Sequence, residues 1–234
     1  MSWINTILSS LRGLLFPRYC CVCGRRITPS EGCFCIACSM MLPRTGYQNH
    51  PYDNYLAQLF WGRFPIERAA SWFFYRSHGD VALPIYDLKY HERIDVGIRL
   101  GEQLAKEFVP SGFFNGIDLL VPLPLAKKRE HWRGYNQSEI LAQGISMVTG
   151  IPIAPHIVER TSFSKSQTTM TAHDRADNVA NVFRLVNAEA VNGRHILLID
   201  DVITTGATIK SCAKEICKAH NVKISVLSVA FAKH

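Results

Sequence analysis

The stretch that decides the fold of this chain runs Leu197-Leu198-Ile199-Asp200-Asp201-Val202-Ile203-Thr204-Thr205-Gly206-Ala207-Thr208. Its apolar start, 195–199, is short and bounded by polar residues, which favours a buried parallel strand. Two adjacent acids follow, then a turn of small polar residues, and then a segment, 207–219, that is predicted to be a helix. Because open α/β sheets bind ligands at the carboxyl ends of their strands, we expect a site where this strand ends.

The turn from Thr204 to Thr208 has the composition of an anion-binding loop. Hydroxyl and backbone N–H groups can converge on a phosphate there, and Gly206 permits close approach or a positive φ. The following helix start adds a favourable dipole and free N–H donors. Asp200 and Asp201 would repel a phosphate and instead suit the hydroxyls of a sugar, with or without a metal ion. The order therefore indicates a site for a phosphorylated sugar; the alternative is a polar turn that follows a strand by chance.

The sequence does not contain two common nucleotide-binding loops. The chain contains neither a Walker loop nor a G-x-G-x-x-G sequence, and Lys210 comes too late in the predicted helix to serve as a Walker lysine. Strands alternate with helices through the rest of the chain, which predicts a mostly parallel sheet flanked by helices. The predicted strands are 69–75, 117–121, 157–160, 182–186 and 224–231. The predicted helices are 83–90, 94–108 and 137–148.

Composition is that of a globular chain, with 47% apolar and 19% charged residues among 234. The net charge of +7 is compatible with anionic partners, and equally with a basic, solvated surface. No segment is apolar for the roughly 20 residues that cross a bilayer, so we expect no transmembrane segment. Residues 1–16 predict an amphipathic helix that packs on its own protein. Membrane binding is the alternative, and Arg12 alone would meet acidic lipid there.

Two Cys-x-x-Cys knuckles lie near the N-terminus, and together they predict a structural zinc ribbon. The four expected ligands are Cys20, Cys23, Cys35 and Cys38. A segment this short has too little core to fold alone, so a metal would stabilise it directly. Cys21 and Cys33 could each replace a neighbour as ligand. A disulfide cluster or a redox pair would also explain the cysteines, although a redox site needs only one motif.

A basic stretch, 121–137, follows one predicted strand and precedes a helix, so we expect it on the same rim as the acidic pair. Its fixed cations suit pyrophosphate oxygens, and arginine forks match them in geometry. These cations are Lys127, Lys128, Arg129 and Arg133. The aromatic residues Trp132 and Tyr135 lie among them, and Asn136 is a natural N-cap. A solvated basic loop is the alternative, and it is favoured for the two lysines.

A second polar stretch, 160–183, is longer than most loops inside a compact domain. Such loops are often lids, and a lid that excludes water would protect a cation-like intermediate from hydrolysis. Its polar residues include Gln167, Arg175 and Asn178.

The stretch from Asp200 to Thr208 resembles the phosphoribosyl pyrophosphate (PRPP) loop of type I phosphoribosyltransferases. The whole chain resembles the ComF family, also called the competence ComFC type. The shared order is a four-cysteine ribbon, Leu88-Lys89-Tyr90, Val-Pro-x-Pro, Arg133-Gly134-Tyr135-Asn136-Gln137, a polar loop with Gln167, Arg175 and Asn178, and the PRPP motif. Tyr135 stands where the family more often has Phe, and the two extra cysteines are departures.

The resemblance implies a type I phosphoribosyltransferase-like, mostly parallel sheet flanked by helices and preceded by a small zinc ribbon. It implies that Asp200 and Asp201 contact ribose hydroxyls of PRPP bound with Mg²⁺. It also implies that the turn holds the 5′-phosphate; the turn residues are Thr204, Thr205, Gly206, Ala207 and Thr208. The resemblance also places Lys89 in the site, because Leu88-Lys89-Tyr90 is one of the shared motifs. The implied role is cytoplasmic handling of incoming single-stranded DNA, with the competence machinery, during natural transformation.

Two functions remain open at this stage. One is a PRPP-binding protein of DNA handling, and the other is an active phosphoribosyltransferase of nucleotide salvage, whose acceptor the sequence does not identify. The predicted organisation is an N-terminal helix (1–16), a zinc ribbon (17–45), a linker (46–64) and a phosphoribosyltransferase-like domain (65–234).

Overall fold

The computed structural model describes residues 17–28, 30–161 and 182–233. Its elements, in chain order, are β1 (Arg18–Tyr19), β2 (Arg26–Ile27), α1 (Ile36–Met41), α2 (Tyr55–Gln58), β3 (Ile66–Phe74), α3 (Ala82–Tyr90), α4 (Ile94–Phe108), β4 (Leu119–Pro122), α5 (Lys127–Arg133), α6 (Gln137–Thr149), β5 (Val158–Arg160), β6 (Phe183–Leu185), β7 (His195–Ile203), α7 (Ala207–Ile216) and β8 (Lys223–Phe231). The predicted helix over 1–16 and the loop residues Gln167, Arg175 and Asn178 lie outside the described residues.

A four-stranded sheet forms the centre of the fold, in the order β3-β8-β7-β4. All three strand pairs are parallel, and the two central strands are buried along most of their length. Such strands, covered on both faces, are typical of parallel sheets. The predicted α/β class, with a mostly parallel sheet flanked by helices, is confirmed. Strands β5 and β6 form a separate antiparallel pair.

Strand β7 extends to Ile203, beyond the end predicted at Ile199. Its two neighbours explain the difference. Strand β8 pairs with β7 as far as Ile203, whereas β4 pairs with it only as far as Ile199. Asp200 and Asp201 therefore belong to the strand itself, on a part that has a strand neighbour on one side only. The open side is the entrance to the site described below.

Helices α4 and α6 pack against each other through two glycines. A Cβ atom on Gly101 would lie 2.2 Å from the Leu141 carbonyl oxygen, and one on Gly144 would lie 2.1 Å from that of Ile98. No side chain fits at such distances, so glycine is what lets the two helix backbones meet. This contact fixes α6, whose first turn reaches the site.

Two stretches are more ordered than the sequence predicts. The basic stretch contains helix α5, which ends at Gly134 with φ 76° in the left-handed region that glycine favours. The predicted linker, 46–64, contains α2, capped by the Asn54 side chain, and its residues Leu56 and Phe60 are fully buried. The linker therefore packs into the core, and the domain boundaries stay a prediction. Among the described residues, no helix combines the length and the apolar character that crossing a membrane requires.

Candidate functional site: the carboxyl edge of the sheet

The turn after β7 presents its polar groups to solvent. Thr204 and Thr205 are exposed, and Gly206 has φ 69°, in the left-handed region. A Cβ atom at Gly206 would lie 2.7 Å from the Phe60 ring, so a side chain there would be strained and crowded at once. Helix α7 begins at the next residue, as predicted. The turn and the start of this helix supply the donors that an anion needs.

The acidic pair lies at the open side of β7 and is contacted by the side chains of Lys89 and Ser138. Asp201 is 7% exposed, and its Oδ2 lies 3.0 Å from the Lys89 Nζ. The Oδ1 of Asp200 accepts hydrogen bonds from the Asp201 N–H, at 2.9 Å, and from the Ser138 hydroxyl, at 3.4 Å. Lys89 comes from the last turn of α3, and Ser138 comes from the first turn of α6. The structure thus brings Lys89 to the acidic pair across a long sequence separation.

The two carboxyl groups differ in their electrostatics. Removal from bulk solvent, and then the adjacent charge of Asp201, raises the pKa of Asp200 to about 7. The hydrogen bonds from the Asp201 N–H and from Ser138, and the charge of Lys89, oppose this rise. Asp201 has its own cation in Lys89. The pair therefore carries one ion-paired carboxylate and one carboxyl group that titrates near neutral pH.

Helix α6 is anchored to the end of β4 by its cap. The Asn136 Oδ1 accepts from the Ser138 N–H at 3.1 Å, which confirms the predicted N-cap. The Asn136 Nδ2 donates to the Leu123 carbonyl at 3.0 Å. The Tyr135 hydroxyl donates to the Leu88 carbonyl, at the end of α3. Tyr135 thus holds α3 beside α6, and its ring is half-buried.

A cavity of about 590 Å³ opens over the acidic pair. Two of the predicted basic residues, Arg129 and Arg133, line it together with Lys89. Lys127 and Lys128 are exposed and are not among the lining residues, in agreement with the solvated alternative. Of the turn residues, Thr208 reaches the lining. The cavity therefore joins acid, cation and turn at one edge of the sheet.

Arg133 is placed by an aromatic ring and an amide. Its Nη1 donates to the Gln137 Oε1 at 2.6 Å, and its Cζ lies 5.3 Å from the Tyr90 ring centroid. Its Nε is buried and finds no hydrogen-bond partner among the described residues. A guanidinium beside a cavity with a donor to spare favours an anionic ligand.

Arg160 is a cavity residue that the sequence reasoning did not assign to the site. Burial, and then the nearby charge of Arg129, lowers the pKa of its guanidinium. With Arg129 and Arg133, three arginines therefore face the same volume and raise its positive potential. Arg160 stands at the start of the long polar stretch, and this was the one signal in the sequence that could have found it.

The cysteines form a second candidate site, away from the cavity. The thiol sulfurs of Cys20, Cys23, Cys35 and Cys38 lie within 4.8 Å of one another. Zinc–sulfur bonds of about 2.3 Å in a tetrahedron place the sulfurs about 3.8 Å apart, and the Cys23 and Cys35 sulfurs are 3.7 Å apart. This group could hold a metal, and its members are the four predicted residues.

Cys21 and Cys33 stand outside that group and contact each other. The Cys21 N–H donates to the Cys33 carbonyl at 2.9 Å, and a hydrogen bond from the Cys33 thiol lowers the pKa of Cys21. The Cys33 N–H donates to the Gln103 Oε1 of α4 at 2.7 Å, which ties this segment to the body of the protein. Cys212, on α7, is a buried free cysteine.

No protein-family model matches the chain. Among solved structures, the chain is similar to glutamine PRPP amidotransferase from B. subtilis complexed with ADP and GMP. The two are 19% identical, with a TM-score of 0.44 over 62% of this chain and 30% of that one.

The chain is also similar to three curated proteins. It is 36% identical to Competence protein F of Haemophilus influenzae over 49% of this chain and 51% of that protein. It is 34% identical to the DNA utilization protein YhgH of Escherichia coli K12, over 56% and 58%. It is 33% identical to Competence protein ComFC of Bacillus subtilis, over 41% and 37%. The chain thus spans about half the length of the first two of these relatives. These relatives and the shared order of motifs support the resemblance of the chain to the ComF family.

Proposed function

We propose that the chain binds PRPP, with Mg²⁺, in the cavity at the carboxyl edge of the sheet, and that it acts in the handling of single-stranded DNA during competence. The observation that carries the proposal is the junction of an exposed threonine–glycine turn with two carboxyl groups and three arginines around one cavity. The turn suits a 5′-phosphate and the carboxyl groups suit ribose hydroxyls. The arginines suit pyrophosphate, and the Arg133 Nε has no hydrogen-bond partner within the part of the chain that the structure describes.

Calorimetry with PRPP and Mg²⁺ tests the ligand. The Asp201→Ala variant should bind PRPP at least about tenfold more weakly, the loss expected for a hydrogen bond to a charged group. Asp53→Asn is the matched control, because the Asp53 side chain is exposed, accepts a hydrogen bond from Gln58 and does not line the cavity. Equal affinity of wild type and Asp201→Ala would reject the assignment of Asp201 to the ribose.

The basic helix supports the nucleic-acid part of the proposal. Helix α5 carries four cations in seven residues against one acid, Glu130, and two of them, Lys127 and Lys128, are exposed. Phosphate contacts are salt-dependent, and each cation lost from a single-strand site lowers the salt slope by about 0.7. Fluorescence anisotropy of a labelled single strand, measured across salt for wild type and Lys127→Gln/Lys128→Gln, should show that change. An unaltered slope would remove these lysines from the DNA surface.

The cysteine group supports a structural zinc ion. Four cysteine sulfurs within 4.8 Å of one another, in a segment with little core, are the usual form of such a site. When bound, zinc would supply cross-linking of the segment rather than chemistry, because four thiolates leave no open position. The location that fits these parts together is the cytoplasm, where incoming single strands and PRPP would meet, and where the competence machinery would be the partner.

An active phosphoribosyltransferase is the second candidate, and the titration of Asp200 favours it. A carboxyl group with a pKa near 7 is suited to general-base catalysis at neutral pH. An acceptor nitrogen would attack C1′ of PRPP, the bond from C1′ to the pyrophosphate oxygen would break, and Asp200 would take the acceptor's proton. Pyrophosphate release from PRPP in the presence of nucleobases tests this function. Release by wild type that Asp200→Asn abolishes supports it, and no release with any base rejects it.

A further inference from the structure

Three exposed aromatic rings form a continuous ridge beside the cavity, made by Tyr86, Tyr90 and Trp132. The ring centroids of Tyr86 and Tyr90 are 4.4 Å apart, and those of Tyr90 and Trp132 are 6.0 Å apart. The residues are 55%, 45% and 67% exposed, respectively. Large apolar rings this exposed and this close to one another form a surface patch, which in proteins marks an interaction site.

The ridge is rigid at its base. Tyr86 and Tyr90 are one helical turn apart on α3, and Trp132 comes from α5, so two separate helices build one surface. The hydrogen bond from Tyr135 to the Leu88 carbonyl fixes the end of α3 against the start of α6. The rings are thus presented together before any ligand arrives, which reduces the entropy that a ligand would have to offset.

Charge around the ridge selects the kind of partner. The Arg133 guanidinium lies over the Tyr90 ring, and Arg129 lies on the same helix as Trp132. Asp87, on the other side, accepts from the His91 ring at 2.8 Å, so a protonated His91 would offset its charge. Rings flanked by arginines suit a ligand with flat faces and a negatively charged backbone, which describes single-stranded nucleic acid. An apolar protein partner would not explain the arginines.

We propose that the ridge formed by Tyr86, Tyr90 and Trp132 is the base-stacking surface of a single strand, whose phosphates run along the arginines of α5. The inference rests on the proposed function and adds a contact to the bases of the strand, as distinct from its phosphate backbone. It assigns stacking to two tyrosines of α3, for which the sequence predicted no role in ligand binding, and it assigns Tyr135 to holding α3 in place. Tyr90 and Trp132 also line the cavity, so the strand would end at its rim.

The test compares ligands that share phosphates but differ in bases. A ten-residue thymidine strand and an abasic strand of the same length are titrated by fluorescence anisotropy with wild type, Tyr86→Ala and Trp132→Ala. Wild type should prefer the thymidine strand by tenfold or more. Each alanine variant should lose most of that preference while its affinity for the abasic strand and its salt slope stay unchanged. Trp132→Phe, which keeps a ring, should retain most of the preference.

Tyr52→Ala is the control, because Tyr52 is 59% exposed and its ring lies beside Arg68, outside the ridge. It should leave both strands bound as in wild type. Thermal melting of every variant confirms that it is folded. Equal binding of the two strands by wild type would overturn the proposal, as would ridge variants that keep the full preference. If the salt-dependent binding and the PRPP affinity persist in that case, the base contact fails and the proposed function stands. Failure of wild type to bind either strand would overturn the DNA function together with the ridge.

Discussion

The carboxyl edge of the sheet and the cysteine segment (residues 17–45) are built in opposite ways. At the edge, the end of β7 and the capped helix α6 hold the acidic pair in place, and Asp201 already has a cation in Lys89. The described part of the cysteine segment has two strands of two residues, one helix of six residues and four converging thiols. The difference teaches that the fold makes the first site, whereas a metal at the second would help to make the fold.

Removal of the metal should therefore have the largest effect, and a local one. Cys23→Ser removes one of the four expected ligands, so it is expected to lose the bound zinc. The effect should be large, because a structural zinc ion contributes on the order of 10 kcal/mol to the folding of a small segment. Hydrogen exchange should rise across 17–45, while PRPP affinity changes little. Elemental analysis and exchange measurements check both parts.

Two cysteine variants sharpen that result. Cys217→Ser is the control, because Cys217 is a free cysteine far from the four-cysteine group in the sequence. Cys21→Ser should also keep the zinc, because Cys21 stands outside the group of four. Stoichiometric zinc in Cys23→Ser, or its loss in Cys21→Ser, would show that another cysteine is a ligand.

At the edge of the sheet, a change should instead stabilise the protein. The pKa of Asp200 is raised in the folded state to about 7, so the folded protein holds this proton more tightly than the unfolded chain. Ionisation of Asp200 therefore costs stability, and the cost grows as pH rises from about 4 to 7. Asp200→Asn, whose amide oxygen can still accept from the Asp201 N–H and Ser138, should raise the free energy of unfolding by about 1–3 kcal/mol at pH 8.

Denaturant unfolding at pH 8 and pH 5 measures that effect. The stabilisation should shrink at pH 5, because Asp200 is then protonated in the folded wild type. Ser138→Ala removes one hydrogen-bond donor to Asp200 without removing the carboxylate charge, so it should not reproduce the gain. A destabilised Asp200→Asn at both pH values would contradict the raised pKa.

The smallest effect concerns the arginines that the two ligands would share. Pyrophosphate and DNA phosphates would both contact Arg129 and Arg133, so PRPP with Mg²⁺ should weaken single-strand binding a few-fold, within the usual range of coupling energies. Ribose 5-phosphate with Mg²⁺ would occupy the turn and the acidic pair without a pyrophosphate, and it should leave DNA binding unchanged. Anisotropy titrations with each sugar check this. If both sugars weaken DNA binding equally, or if neither weakens it, then Arg129 and Arg133 do not bind both pyrophosphate and DNA.

The sequence could predict the parts of the fold that depend on local pattern. Helix α4 has the predicted bounds, 94–108, because its apolar residues recur at helical spacing. The acidic pair, the turn and the start of α7 follow from one continuous stretch. Helix α5 was missed because seven mostly charged residues show no apolar periodicity, and its fold depends on Gly134 and on the elements around it.

The contacts between distant residues of the site could not be predicted from the sequence pattern. The ion pair of Lys89 with Asp201 and the hydrogen bond of Ser138 to Asp200 join residues far apart in the chain. They depend on how α3 and α6 pack at the edge of the sheet, which no local signal reports. Tyr135 shows the same limit, because an aromatic residue in a basic motif can stack on a ligand or hold a helix. The hydrogen bond from the Tyr135 hydroxyl to the Leu88 carbonyl indicates the second role.

The most direct test of the central claim is a crystal structure of the protein with PRPP and Mg²⁺. The predicted result has the 5′-phosphate at the turn 204–208, the ribose hydroxyls at Asp200 and Asp201, and the pyrophosphate beside Arg129 and Arg133. The Lys89 ammonium would then lie more than 4 Å, about the limit of an ion pair, from the Asp201 carboxylate it now contacts at 3.0 Å. PRPP bound elsewhere, or a cavity that stays empty at saturating PRPP while Lys89 and Asp201 remain paired, would contradict the claim.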